Sequence, residues 1–192
     1  MDRSTSLFWL LVLALLTAST YYGVGAWRQQ ATMQPREARL ENGDALTLVR
    51  VIDADTVVLN KAGDGDVTVR LLGIKSLPSK LGKDEASVYG RAAEEALKRI
   101  VAERPLRALL NTPPRDRHGR TLATLYAGEQ DIGLELVRRG HVLVYSVYPF
   151  AAMPIYLQQQ NEARARHLGL WADAEVSAQA DALIQQWSRQ GG

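Results

Sequence analysis

Two aspartates stand one residue apart in Val51-Ile52-Asp53-Ala54-Asp55-Thr56-Val57-Val58. Apolar, β-branched runs flank them, so the pair reads as carboxylates pinched onto a tight turn. Such a turn suits a cation or phosphate site, and a cation site usually draws further carboxylates from a second segment. The neighbouring segment does not supply them. From Gly73 to Lys83 there is no acid, and Lys75, Lys80 and Lys83 stand there instead. Asp53 also fits a plainer role as a turn cap. The histidines His118, His141 and His167 are scattered, which gives little support to a histidine metal cluster. The absence of cysteine excludes disulfides, thiolate metal sites and a cysteine nucleophile.

The elements that must position these residues follow from periodicity and turn chemistry. Ala45–Asp53, 55–60 and 67–73 read as strands, with a Gly- and Asp-rich hairpin over 61–66. The spacing predicts a helix over 84–103, with Val88, Ala92, Ala96 and Ile100 on its apolar stripe. Strands follow over 106–111 and 120–126, joined by a turn in which Arg115, Asp116 and Arg117 read as a solvated tip. A short helix over 132–139 closes at Gly140. Residues 142–147 read as an apolar strand and 154–167 as a helix stopped by Gly169. This order is not alternating βαβ. It predicts an α+β domain, a small antiparallel barrel with helices packed on it.

The domain organisation has four parts: an N-terminal segment (1–27), a polar linker (28–44), the globular domain (45–172) and an amphipathic C-terminal helix (173–192). From Leu7 to Trp27, 21 residues carry no charge. That is near the ~20 residues a helix needs to span a bilayer. Trp9, Tyr21, Tyr22 and Trp27 sit where interface anchors belong. A cleaved signal peptide with Leu7–Leu16 as its apolar core is the rival reading. Because apolarity continues past that run, an uncleaved transmembrane anchor is expected. Arg28, Arg36 and Arg39 after the span argue for a domain inside; signal-anchor logic puts it on the outer, extracytoplasmic side, which is the reading preferred. The C-terminal helix carries Val176, Ala180, Leu183, Ile184 and Trp187 on one face, which suits packing on its own domain. The net charge of +2 does not by itself predict nucleic-acid binding.

The motifs taken in order are Asp-x-Asp-Thr, a hairpin, Arg70-Leu71-Leu72-Gly73-Ile74, a loop, Tyr89-Gly90, a helix, Asp116-Arg117-His118-Gly119-Arg120, Leu136-Val137-Arg138-Arg139-Gly140 and Gly169-Leu170-Trp171. Together they resemble the staphylococcal nuclease-like (thermonuclease) family from about Leu46 to Trp171. The resemblance implies a five-stranded OB-fold barrel with about three helices. Active members hydrolyse phosphodiesters with Ca²⁺ held by carboxylates, a loop glutamate as general base, and two arginines on the phosphate. Carried over, Asp55 matches the first metal carboxylate, Arg70 and Arg120 the phosphate-clamp arginines, and Tyr148 a tyrosine beside the bound nucleotide.

The departures fall on the chemistry. Lys75 stands at the second metal aspartate, Pro78 at the catalytic glutamate, Ala54 at the glycine between the aspartates, and His118 at a position often held by tyrosine. Lys75 reads equally as a solvated loop lysine or as an ammonium paired with Asp55 in place of the metal; it could also meet a nucleotide. Arg70 and Arg120 retain a phosphate clamp or serve the barrel, one of them pairing with Asp55 or Glu95. No cofactor is then expected, and hydrolysis is expected to be lost. The expected protein is a membrane-anchored accessory or assembly subunit, or a phosphate- or nucleic-acid-binding module, with a membrane protein complex as partner. The alternative is an active, anchored Ca²⁺-dependent endonuclease with a rearranged site, Glu85 recruited to it.

Overall fold

Strand β6 (Thr121–Ala127) alternates buried and half-buried residues along its whole length, the period of a strand with one face on a core. Around it, β1 (Ala45–Asp53), β2 (Thr56–Lys61), β3 (Gly65–Leu71) and β5 (Leu106–Arg115) complete the wall. In this computed structural model, which describes residues 39–78, 85–102, 104–116 and 118–190 together with Leu15 and Ser19, the strand order is β3-β2-β1-β5-β6. The parallel pairing of Val69, Arg70 and Leu71 with Thr121, Leu122 and Ala123 joins the two ends. Closure into a five-stranded barrel removes the sheet edges. Bulges in β1 between Leu48 and Arg50 and between Val51 and Asp53 bend the strand so that it can serve β2 and β5 in turn.

Four helices pack on this barrel among the described residues: α1 (Glu85–Val101), α2 (Ile132–Arg138), α3 (Met153–Ala165) and α4 (Ala174–Gln190). The α+β barrel expected from the sequence is therefore the fold. Short pieces that the pattern did not show complete it: β4 (Ile74–Lys75) paired with β8 (Leu143–Val144), β7 (Gln130–Asp131) on β6, and a 3₁₀ turn over Gly169–Ala172. Only Leu143 and Val144 of the expected strand 142–147 are in a ladder, because the chain turns away at Tyr145.

The stripe expected on α1 holds at Ala96 and Ile100 and fails at Val88. Val88 is 52% exposed, whereas Ala93, Ala96, Leu97 and Ile100 are buried. Steps of four alone drift about 40° each around a helix of 3.6 residues per turn, so a strict four-residue row walks off the core. The buried arc mixes three- and four-residue steps.

The apolar face of α4 is spent on its own domain. Val176, Ala180 and Trp187 are buried in a second cluster with Leu77, Leu143, Leu170 and Trp171, beside the barrel core. This matches the packing on its own domain expected from the sequence. The end of the expected linker also joins the barrel: Leu40 is buried and Gly43 N–H donates to Ala108 O at 3.0 Å. Among the described residues no helix is long and apolar enough to cross a membrane. The anchor expected over 1–27 lies outside the described residues apart from Leu15 and Ser19.

Candidate functional site

The turn Ala54–Asp55 between β1 and β2 tucks over the end of β3, where Leu71 N–H donates to Asp55 O at 2.9 Å. The chain then leaves β3 through Gly73. Its φ is +73°, and a Cβ there would stand 2.2 Å from the Phe150 ring. Only glycine meets both demands. The loop is pinned again at Gly90 of α1, where a Cβ would stand 2.6 Å from Pro78 O and 2.7 Å from Leu77 O. These two close approaches hold Lys75 to Pro78 against the Asp55 turn.

Asp55 is 1% exposed, and donors surround its carboxylate. Arg70 Nη1 and Thr56 Oγ1 (2.8 Å) reach Oδ1. Ser76 N–H (2.9 Å), Ser76 Oγ (3.0 Å) and Lys75 Nζ (3.4 Å) reach Oδ2. A carboxylate offers about four lone-pair sites, so its acceptor capacity is filled. Burial alone would raise the Asp55 pKa. The Arg70 and Lys75 charges and the hydrogen bonds outweigh it and hold the group at about 2. Arg70, 8% exposed, is fixed at its other end by Nη2 donating to Ile74 O at 2.9 Å.

The calcium that the family implies does not fit this donor set. Calcium takes 6–8 oxygen ligands. Here the one buried carboxylate at the position already faces two cations, Arg70 and Lys75. Lys75, whose side chain is 48% exposed, brings an ammonium where a second carboxylate is needed. Among the described residues no group of three or more carboxylate, histidine or cysteine side chains is gathered to hold a metal.

A cleft of about 510 Å³ opens beside the Asp55 turn. Arg70 and Ile74 line one side, Asn111, Asp116 and His118 another, and Tyr145 with Tyr148 a third. Tyr148 is 62% exposed. Of the residues singled out in the sequence, the structure thus brings Arg70 and Tyr148 to the cleft lining. Asp55 and Lys75 lie behind and beside Arg70 through their contacts with each other.

Arg120 is held differently. Its Nε and Nη2 meet Asp116 Oδ2 at 2.8 and 2.7 Å, and its own N–H donates to Asp116 Oδ1 at 3.0 Å. Asp116 also accepts from His118 N–H at 2.8 Å. Burial pushes Asp116 up, but the Arg120 and His118 hydrogen bonds leave its pKa lowered. The hairpin tip is therefore not merely solvated: Asp116, itself in the cleft wall, is a latch that fixes Arg120, which is not among the lining residues. Glu95 pairs with Lys98 at 2.6 Å and not with either arginine. Sequence reasoning missed Ser76, Thr56 and Asp116. Thr56 and Ser76 were visible as hydroxyls next to the aspartate turn and the loop lysine, but nothing in the spacing said that both would aim at one carboxylate.

Comparison with known proteins bears on this geometry. The family model described as staphylococcal nuclease homologue matches residues 68–173. A protein of Haemophilus influenzae described as an uncharacterized endonuclease is 32% identical over 143 residues, 74% of this chain and 72% of that one. The thermonuclease of Staphylococcus intermedius is 29% identical over 130 residues, 67% of this chain and 77% of its own. An Escherichia coli protein, also described as an uncharacterized endonuclease, is 33% identical over 129 residues, 67% and 77% of the two chains.

Proposed function

Since this chain belongs to the staphylococcal nuclease homologue family, we propose that it keeps the family's phosphate-facing cleft and has given up calcium-dependent hydrolysis. One observation carries this reading: the Asp55 carboxylate is filled by Arg70, Lys75, Ser76 and Thr56. A metal would have to displace an ammonium and several hydrogen bonds to reach it. The general base is missing as well, since Pro78 stands where the family's loop glutamate is expected. Hydrolysis needs both groups in the same transition state, so losing them together removes many powers of ten in rate.

What remains is a cationic cleft. Arg70 and Arg115 line it with one acid, Asp116, and Lys75 beside Arg70 faces Asp55, so positive side chains outnumber negative ones without a metal. With the exposed Tyr148 ring beside it, this suits an anionic ligand carrying a base, such as a nucleotide or a single nucleic-acid strand. The domain would work as a binding module, held at the outer face of a membrane by its apolar N-terminal segment and acting as an accessory subunit there. The inward-packed α4 offers no apolar face for assembly, so the binding role is preferred to a purely structural one.

The rival reading, a calcium-dependent endonuclease, draws on the names of the relatives. Nuclease assays separate the two. The full chain, purified in mild detergent, is incubated with single-stranded DNA and RNA with calcium or with a chelator, beside an Arg70→Ala/Arg120→Ala control. The expected result is strand binding that weakens with salt, ignores the chelator and yields no cleavage. Calcium-dependent cleavage that the control abolishes would sink the proposal.

A further inference from the structure

Helix α4 begins at Ala174, just past the 68–173 stretch that matches the family, yet its Trp187 packs on Tyr145 of the cleft wall. It is docked along its length. Asp173 Oδ1 accepts from Val176 N–H at 3.0 Å, Arg164 meets Asp181 at 2.6 Å, and Val176 and Ala180 are buried. Near its end Trp187, 7% exposed, meets Tyr145 edge to face, with ring centroids 5.0 Å apart at 81°. Tyr145 in turn lies 6.1 Å from Tyr148 at 60°. Both tyrosines line the cleft.

The backbone alone does not set this wall. Beyond Val144 the chain leaves the β4–β8 ladder, and Tyr145 N–H is tied back to Gly73 O at 2.9 Å. Tyr148 sits in an irregular turn with most of its ring in solvent. The side-chain stack Trp187–Tyr145–Tyr148 therefore ties the orientation of the exposed ring to α4. Edge-to-face and tilted pairs are directional, so an aliphatic side chain of similar volume fills the space without imposing the angle.

We infer that Trp187 is a positioning residue: through Tyr145 it sets Tyr148 as a flat stacking face for a base at the mouth of the cationic cleft. The stacking role rests on the reading that the cleft takes a strand or nucleotide; the positioning of Tyr148 does not. A C-terminal helix thus adds selectivity for base-bearing ligands over bare phosphate.

The test uses the full chain in mild detergent with its tyrosines replaced by 3-fluorotyrosine. The Tyr148 ¹⁹F resonance is identified by its loss in Tyr148→Phe. Trp187→Leu and Trp187→Met fill the core without a ring edge, and Trp187→Phe keeps one. The Tyr148 resonance is expected to move in Trp187→Leu and Trp187→Met and to stay in Trp187→Phe. Affinity for a short labelled oligothymidylate, read by anisotropy, should fall about 5-fold or more in the aliphatic variants. Affinity for inorganic pyrophosphate, the base-free probe, should not change. A Tyr148 resonance that stays put in any folded aliphatic variant overturns the inference, with or without a ligand. So do equal losses for both probes. If the resonance moves but the unaltered protein binds no oligothymidylate, the positioning stands and the nucleic-acid reading falls.

Discussion

Asp55 and Asp131 are both carboxylates drawn into the domain, and their proton affinities move in opposite directions. Burial pushes both upward. At Asp131 the compensation comes from neutral donors: the N–H groups of Leu134 and Gly133 and the Tyr156 hydroxyl, 2.9 and 3.0 Å from the two oxygens. Burial wins there and the pKa is raised. At Asp55 burial meets two full charges, Arg70 and Lys75, and loses. The difference teaches that a buried carboxylate is set by the charge of its neighbours more than by depth. Asp131 serves architecture, as N-cap of α2. Asp55 instead gathers two cationic side chains, Arg70 and Lys75, at the edge of the cleft. The two regions touch the same ring, since Phe150 covers Gly73 and meets Tyr156 edge-on at 5.1 Å.

The comparison breaks most readily at Arg70. Arg70→Ala leaves Asp55 buried with only a half-exposed lysine as charged partner, and should cost about 3–5 kcal/mol in urea denaturation. A loss below about 1 kcal/mol would mean that neutral donors suffice at Asp55 as they do at Asp131. Next comes Asp131→Ala, which strips the α2 cap and strands the buried Tyr156 hydroxyl. It should cost about 2–3 kcal/mol by the same measurement, and Tyr156→Phe should cost less.

The pH dependence sharpens the contrast. The folded Asp55 pKa lies below its ordinary value of 3.8, at about 2. Its contribution, roughly 2 kcal/mol at 1.36 kcal/mol per unit, is present above pH 3.8 and lost as pH falls toward 2. Asp131 has the opposite sign. Its raised pKa means that the folded state holds the proton more tightly, so its contribution is full below 3.8 and fades as pH rises through the raised value. The stability advantage of the unaltered protein over Asp55→Asn should shrink on acidification. Its advantage over Asp131→Asn should shrink on going toward neutrality. Denaturation midpoints across acid pH that move together for both variants would erase the distinction.

The smallest effect is expected at Lys75. A half-exposed ammonium at 3.4 Å is worth less than about 1 kcal/mol, so Lys75→Ala should barely move the melting temperature. Lys75→Asp asks a sharper question. It removes the surrogate cation and supplies the carboxylate that calcium lacks. Calcium should then raise the melting temperature of the variant and leave that of the unaltered protein in place. A calcium-induced rise in both proteins would show that Lys75 does not occupy the cation's place.

Much of this was readable in the chain itself. Alternating β-branched runs, Gly-rich turns and the Gly140 stop place the strands and helices within a few residues, because local dihedral preferences and burial periodicity are properties of short segments. The barrel followed from their order. The absence of acid from Gly73 to Lys83 is a plain fact of residue type. Less legible was anything requiring two distant segments to aim at one atom. The α1 stripe was right at Ala96 and Ile100 but not at Val88, because several helical rows are nearly equivalent until a core chooses among them. The hairpin tip looked solvated because nothing local says that Asp116 turns back onto Arg120.

Residue order alone fixed which charges were available near the turn: two aspartates one residue apart, two arginines at spaced positions and a loop lysine in a stretch without acid. Whether Lys75 would wave in solvent or neutralise Asp55 was decided only by the tertiary structure. Gly73 and Gly90 let the loop close on β3 and α1, and that closure carries Ser76 and Lys75 onto Asp55 Oδ2. Likewise the helical pattern read over residues 173–192 foretold an apolar face, but not that its tryptophan would brace Tyr145. Residue type is inherited along the chain, whereas electrostatic partnership depends on distance, and distances between remote segments exist only once the chain has folded.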